Sequence, residues 1–334
     1  MHIWLPAPRA GSGTDIYTER LARALAKRAI RTTITWFSPS WQFAPRALSL
    51  CPLPRGTTLI HTNSWYAPGF RRHVPLVLTE HQGAFGRDQR PYRSRAQELY
   101  HTRIIKPRLA RSFAHCDAVT AVSAATARGL AQNFGVPSAH ILHNFVDTAV
   151  FAPHPSRRPH AAPFRLLCVG NFTPLKGSLL LKVLLETLGP RFTLRFTTGA
   201  RPARIGTLPA NMHPIGRLSG EQALVDAYRW ADAVLVPSLF EGFGYTALEA
   251  MACGTPVIAS RTGGLPEIVT SETGIVCTPG DVAAFRAACE RLATDTRFAR
   301  TAAEAGRARA LEYFSEDVIV PRYIALYETL HGPS

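Results

Sequence analysis

The chain has 334 residues, 46% of them apolar, six cysteines and a formal net charge of +15. That length points to two domains, each with an ordinary core, and no run of about 18 uncharged apolar residues exists to cross a membrane. The opening Met-His-Ile-Trp-Leu-Pro lacks the features of a signal peptide, and Cys51, Cys116, Cys168, Cys253, Cys277 and Cys289 form no CxxC pair. We therefore expect reduced thiols in a cytoplasm, with neither a zinc site nor a disulfide framework.

Taken in chain order, Ile3–Leu5 reads as a first strand and Pro6–Gly13 as a loop ending in Gly11-Ser12-Gly13. Thr14 can cap the helix that follows, in which Ile16, Leu21, Ala24 and Leu25 recur at helical spacing. Strand, glycine loop and helix make a nucleotide-type crossover, but Gly-Ser-Gly without the full G-x-G-x-x-G fits a plain turn as well. Thr32–Phe37, Thr58–His61 and Val74–Thr79 read as strands, and the proline-rich Pro39–Arg55 as loop. In Glu80-His81-Gln82-Gly83, His81 then falls at the carboxyl edge of its sheet. Ligands bind there in open α/β sheets, although a lone histidine often serves structure alone.

The charge is uneven. Residues 1–150 hold 19 Lys/Arg against 7 Asp/Glu, whereas residues 151–334 hold 19 against 16. Residues 87–111 alone carry eight Lys/Arg and two Asp/Glu, with Leu99, Ile104, Ile105, Leu109 and Phe113 placed to line one helical face and a break at Pro107. Two readings stand: a solvated surface helix, or a helix that docks on an anionic membrane or acceptor. Asp117–Val122 is the next strand, Ser123 caps a helix ending near Phe134-Gly135, and His140–Leu142 is another strand. Ala152–Pro163, with Pro153, Pro155, Pro159 and Pro163, reads as an interdomain linker.

Phe164–Val169 opens a second domain as a buried strand, followed by Gly170-Asn171-Phe172-Thr173-Pro174-Leu175-Lys176-Gly177. The order of Lys176 and Gly177 rules out a Walker loop. Leu179–Leu188 is a helix and Thr193–Thr198 a strand; Ser219 then caps a helix with Gln222 at the capping-box position. Ala233–Val236 is a short strand. Gly242 and Gly244 permit a tight turn, Tyr245–Cys253 favours helix, Gly254 and Pro256 stop it, and Val257–Ala259 is the next strand. The amides at that helix start are a ready anion site. Glu241 and Glu249, seven residues intervening, frame the loop and suit sugar hydroxyls. Ile275–Cys277, Val282–Leu292 and Ala302–Tyr313 follow as strand, helix and helix, before a last helix with Val318, Tyr323, Leu326 and Tyr327.

The stretch Glu241-Gly-Phe-Gly-Tyr-Thr-Ala-Leu-Glu249, with Gly254-Thr-Pro-Val and Gly263-Gly264-Leu265-Pro266-Glu267, resembles the E-x7-E signature of the family-4 retaining glycosyltransferases of the GT-B fold. Ala121-Val-Ser and Asn144-Phe-Val-Asp match further landmarks, with Phe145 where the family usually has Gly; Asn144 can tolerate an unusual backbone angle. The resemblance implies two Rossmann-like doubly wound α/β domains facing a central cleft. These would be residues 1–152 for the acceptor, 153–163 as linker, 164–313 for the donor, and 314–334 as a helix crossing back. Glu241 would contact the donor sugar with Gly242, Phe243, Gly244 and Tyr245 nearby, and Glu249 the ribose. Lys176 would meet the diphosphate beside Gly170, and Gly216, Arg217 and Leu218 would flank the base. His81 would reach the donor sugar, and Gly11 and Gly13 the diphosphate, from the other domain. The family has Arg where Asn171 stands, so one cation is missing; Arg9 or Arg261 could substitute.

The resemblance implies transfer of a hexose-type unit from a nucleotide-diphosphate sugar to a hydroxyl acceptor, without a metal; no cofactor and no nucleic acid are expected. The setting would be glycan or glycolipid synthesis on an anionic, sugar or lipid-linked acceptor. Residues 87–111 would attach the protein to the inner face of a membrane. Asn171 keeps open a nucleotide-sugar-binding protein without transfer, and the architecture keeps open a sugar-nucleotide epimerase. The basic composition also raises nucleic-acid binding, but interleaved aromatic and basic motifs are missing.

Overall fold

A computed structural model describes residues 1–70, 73–82, 94–155, 162–199 and 206–331. Residues 87–93 of the basic stretch, Gly83 and residues 156–161 of the expected linker lie outside the described residues.

The first unit comprises Met1–Asn144 and the chain from Asp317 on. Its strands are β1 (His2–Pro8), β2 (Arg31–Phe37), β3 (Leu59–Asn63), β4 (Leu76–Glu80), β5 (Ala118–Ala121) and β6 (His140–Ile141). They pair in parallel in the order β2-β1-β3-β4-β5-β6. The helices are α1 (Gly13–Ala26), α2 (Arg95–Tyr100), α3 (Lys106–Phe113) and α4 (Ala124–Phe134). Continuous apolar strands such as Leu76-Val77-Leu78 are buried, as parallel strands covered on both faces require.

The second unit spans Phe145–Glu316. It carries β7 (Phe164–Cys168), β8 (Phe192–Phe196), β9 (Met212–Pro214), β10 (Ala233–Val236), β11 (Val257–Ser260) and β12 (Gly274–Cys277). Their order is β12-β11-β10-β7-β8-β9, again parallel. Its helices are α5 (Ser178–Leu188), α6 (Glu221–Trp230), α7 (Tyr245–Ala252), α8 (Leu265–Ile268), α9 (Val282–Thr294) and α10 (Thr296–Phe314); α11 (Glu316–His331) ends the described chain. Leu180, Leu181, Leu184, Leu185 and Leu188 lay one face of α5 into the core, beside Phe285, Cys289 and Leu292 of α9. Counted from its first strand, this sheet has the 3-2-1-4-5-6 order of dinucleotide folds.

The unit boundary falls at Asn144 rather than 152. Val146 bridges Ser315, the Arg307 guanidinium donates to the carbonyls of Thr148 and Phe151, and Phe151 packs near Tyr228, so this stretch is built into the second unit.

Other local expectations also change. Thr14 does not cap α1; Ser12 is the N-cap residue, and Asp15 instead accepts from Gly11 N at 2.8 Å. Gly220, not Ser219, is the N-cap of α6, and Gln222 donates to Asp226. Asn144 needs no unusual angle, because Ala29 is the non-glycine residue at positive φ among those described. Pro39–Arg55 is not all loop: 3₁₀ turns run through Pro39–Phe43 and Pro45–Leu50. Ser123 caps α4 as expected, accepting from Thr126 N at 3.0 Å.

The basic stretch is helical but its apolar face is already used. A π-helical turn over His101–Ile105 joins α2 to α3, and Pro107 is the second residue of α3, with no break in the helix there. Ile105, Leu109 and Phe113 are buried in the first unit's core with Trp4, Phe70 and Leu78. Only Leu99 and Ile104, of the five apolar positions, stay exposed.

Candidate active site

In an open α/β sheet, ligands bind beyond the carboxyl ends of the strands where the strand order reverses. In the second sheet that point lies between β7 and β10. The loop after β7 holds Gly170, Asn171 and Lys176; the loop after β10 holds Glu241–Gly244. Leu239 N donates to Leu175 O at 2.9 Å, tying the two loops together.

Lys176 Nζ donates to Glu241 Oε2 at 2.6 Å, and Ser238 Oγ donates to the same oxygen at 3.2 Å. The lysine and glutamate side chains keep 38% and 18% of their exposure. A pair this exposed contributes about 1 kcal/mol or less, so an arriving anion can draw the ammonium away at small cost. Two helices start here. Gly177 precedes α5, and Gly244, at φ +118°, precedes α7 with no side chain to cap it. A Cβ on Gly244 would also lie 2.6 Å from Leu265 Cδ2. Both helix N-termini present amides and positive potential to the loops.

A third loop, after β11, holds the second in place. Thr262 Oγ1 donates to Leu239 O at 3.2 Å and Gly264 N to Glu241 O at 3.2 Å. Gly263, at φ +53°, has no room for a side chain: a Cβ would sit 1.5 Å from Glu241 O. The Gly-Gly pair therefore fixes the main chain of the residue that carries the carboxylate.

Glu249 lies inside α7 and is buried at 4% exposure. Its Oε2 accepts from Tyr228 Oη at 2.8 Å, and burial and this carboxylate push the Tyr228 phenol well up, so the hydroxyl stays protonated and donating. Thr246, one turn earlier, donates to Val169 O at 3.3 Å, which places this face of α7 under the end of β7. Gly216 joins the same edge: Phe172 N donates to Thr198 O and Thr198 N to Gly216 O. Arg217 is exposed and Leu218 half-buried beside it. Asn171 is exposed, and Arg261, which follows β11, is exposed too; Arg9 belongs to the first unit, where it pairs with Glu19 at 3.7 Å and stacks on Trp36.

The first unit brings together a second set. Its strand order reverses between β1 and β3. Gly11 lies between β1 and α1, Gly13 is the first residue of α1, and His81 immediately follows β4. The His81 ring packs edge-on against Tyr17, with centroids 4.6 Å apart. It lines a small cavity with Pro6, Thr14, His61 and Asn63. Burial pushes the imidazoles of His81 and His61 down to about 3, so both are neutral at pH 7. Glu80 Oε2 accepts from Ser64 Oγ and Oε1 from Gln82 N at 3.0 Å. Burial nevertheless pushes its carboxyl up to about 7, the two hydrogen bonds opposing the shift. Among the described residues no group of three or more His, Cys, Asp or Glu could hold a metal ion, and none of their helices is long and apolar enough to cross a membrane.

Sequence reasoning did not single out Tyr228, Ser238, His61 or Glu80. Tyr228 occupies an ordinary core position of an amphipathic helix, and its partner is 21 residues on, so no local pattern marks it.

Residues 163–295 match the family model described as "Glycosyl transferases group 1", and residues 53–150 that described as "Glycosyltransferase Family 4". The chain belongs to the family-4-type glycosyltransferases. It is 34% identical over 222 residues to the MMP alpha-(1->4)-mannosyltransferase of Mycolicibacterium hassiacum, a match covering 62% of this chain and 53% of that one. The chain spans at most 63% of the length of the curated relatives it matches, and 53% of that mannosyltransferase. Among solved structures it superposes on sucrose-phosphate synthase of Thermosynechococcus elongatus with a TM-score of 0.86, at 23% identity and complete coverage of both chains. Anabaena Alr3699/HepE, solved with UDP-glucose, gives 0.75 at 18% identity, covering 97% of this chain and 98% of that one. These likenesses fix the fold class as GT-B.

Proposed function

We propose that this chain transfers a hexose-type sugar from a nucleotide-diphosphate sugar to a hydroxyl acceptor with retention of anomeric configuration. The observation that carries the reading is the Lys176–Glu241 pair at the reversal point of the second sheet, between two helix N-termini, with buried Glu249 within the second of those helices. A nucleotide sugar has matching parts in sequence: a hydroxylated ring, a diphosphate and a ribose. Glu241 accepts from the ring hydroxyls and Glu249 from the ribose. Lys176 and the helix amides meet the diphosphate, whose charge grows as the glycosidic bond breaks. His81, neutral, contacts the sugar by hydrogen bonding rather than by charge. The departing phosphate takes the acceptor's proton on the same face, so the reading requires no carboxylate nucleophile.

UDP-glucose is a suitable first probe, because the Anabaena neighbour is solved with it. Thermal-shift measurement against a panel of nucleotide sugars tests the reading: a site of this kind raises the melting temperature with ligand concentration. Turnover with sugar and lipid-linked acceptors follows. A panel without any shift would sink the proposal.

The exposed, uncharged Asn171 favours a second reading, a protein that binds the donor without transferring it. Ligand-dependent stabilisation with no turnover on any acceptor would support that alternative.

A further inference from the structure

We propose that Tyr327, His61 and Thr79 form a buried relay that positions Tyr17 and, through it, the ring of His81. The inference rests on the role given to His81 above. Its geometry lies wholly within the first unit, which includes the C-terminal helix from Asp317 on.

The relay starts on α11. Tyr327 Oη lies 2.6 Å from His61 Nδ1, and His61 Nε2 lies 2.6 Å from Thr79 Oγ1. Thr79 Oγ1 also lies 2.7 Å from Thr120 Oγ1 and 3.3 Å from Tyr17 Oη. Tyr327 is fully buried, and His61 and Thr79 nearly so. Among the described residues, His61 Nδ1 is the acceptor within reach of the Tyr327 hydroxyl. Were Nδ1 to carry the imidazole proton, that hydroxyl hydrogen would be buried without a partner, which folded proteins avoid. Tyr327 therefore donates to Nδ1. A neutral imidazole then holds its proton on Nε2 and donates it to Thr79 Oγ1. Thr79 in turn has its own hydrogen for Thr120 or Tyr17.

This order of donors holds Tyr17 from behind. Tyr323, also on α11, closes the other side, its ring 6.3 Å from that of Tyr17. Tyr17 presents its ring to His81 at 4.6 Å and 71°. His81 follows the last residue of β4, and among the described residues its ring packs against that of Tyr17. Four side chains from α11, β3, β4 and α1 thus set the placement of one imidazole. None of the four needs to touch the sugar.

The experiment uses the full chain with UDP-glucose as donor and the acceptor on which it turns over. Tyr327→Phe keeps the packed ring and removes one hydroxyl. Its kcat should fall by about tenfold to 10²-fold, the scale of a sub-ångström to ångström misplacement of a reacting group, with the KM for UDP-glucose unchanged. Selective ¹⁵N-histidine spectra should show wild-type His61 protonated on Nε2 and a changed tautomer signature in Tyr327→Phe. Thr79→Ser, which retains the hydroxyl, should keep wild-type kcat, and Thr79→Val should match Tyr327→Phe. Wild-type kcat in Tyr327→Phe overturns the relay, and so does a His61 ring protonated on Nδ1 in the wild type. Turnover that survives His81→Ala removes the role of His81, and the relay with it. Turnover lost in His81→Ala but intact in Tyr327→Phe removes the relay alone.

Discussion

At the carboxyl edge of the second sheet, Lys176 and Glu241 are half-exposed, charged and bonded to each other. At the corresponding edge of the first sheet His61 and Glu80 are buried and His81 is half-buried: both imidazoles are held neutral, and the Glu80 carboxyl is pushed up to about 7. Both sheets are parallel and six-stranded, and both place loops at a reversal of strand order. What differs is the water left around the charged groups. Exposed charges can change partners at small cost, which suits a polyanion that arrives and leaves. Buried neutral groups hold one geometry, which suits orientation of an uncharged ring. On the proposed function, a shared architecture would support two kinds of recognition, separated by the exposure of the charged groups rather than by topology.

Removing the charge from the second edge gives the largest expected effect. Lys176→Ala should lower transfer by about 10²-fold or more if, as proposed, the ammonium meets the diphosphate as it departs. Asn171→Arg sharpens the same point by adding the cation that the family places there; donor affinity or kcat should rise. Steady-state kinetics on both variants checks this. Unchanged kcat in Lys176→Ala would mean that the exposed pair is a surface ion pair and nothing more.

Burial at the first edge makes a prediction in pH. Glu80 has a folded value near 7 against 4.5 for the free group. The folded state thus binds more protons between these values, and Glu80's contribution to stability, complete below about 4.5, declines as pH rises through 7. His61 and His81, lowered to about 3, act oppositely: the unfolded state binds more protons below 6.5, so their contribution is lost as pH falls. The wild-type profile mixes the two. The difference between Glu80→Gln and wild type isolates the carboxyl, and should move in favour of the variant by up to about 3 kcal/mol between pH 5 and pH 8. Urea denaturation across that range measures it. A pH-independent difference would place Glu80 at an ordinary carboxyl value.

Glu249 belongs to the charged edge but is buried, so it tests whether burial or edge decides the role. Glu249→Ala should weaken UDP binding by about 1–3 kcal/mol, the scale of a charge-assisted hydrogen bond. Titration calorimetry with UDP, alongside the melting temperature of the variant, separates this from loss of the Tyr228 contact. A destabilised variant with wild-type UDP affinity would leave Glu249 a core residue.

Much of this was legible because its causes are local. Ser123 and Gly135 bound α4 by capping chemistry within a few residues, and Ala233–Val236 matches β10 residue for residue. Glu241, Lys176 and the Gly-Gly pair were legible as a pattern, although their 2.6 Å pairing was not. What escaped depends on distant partners. His61 reads as the end of a strand until Tyr327, 266 residues on, is placed against it. The amphipathic face of the basic stretch was legible as a face, but periodicity cannot say whether protein or lipid covers it. Ile105, Leu109 and Phe113 lie in the core.

That burial reduces the membrane proposal to electrostatics and makes its expected effect the smallest. Arg95, Arg103 and Arg111 remain exposed along α2, the π-turn and α3, with Leu99 and Ile104 exposed among them. Each basic side chain near an anionic surface contributes at most about 1 kcal/mol, and two isolated apolar side chains add far less than a continuous lipid-facing stripe. Attachment of this kind is reversible and screened by salt, with a Debye length near 10 Å at about 0.1 M. Co-sedimentation with phosphatidylglycerol vesicles at low salt should therefore retain the wild type, release it as salt rises, and weaken for Arg103→Glu with Arg111→Glu. Leu99→Ser with Ile104→Ser should change it less, because the stripe they would extend is already buried in protein. If the serine pair abolishes binding while the glutamate pair does not, insertion rather than charge drives attachment and this edge of the first unit must open to release its core face. If the wild type ignores anionic vesicles altogether, the charge on this helix serves a phosphorylated acceptor in solution instead.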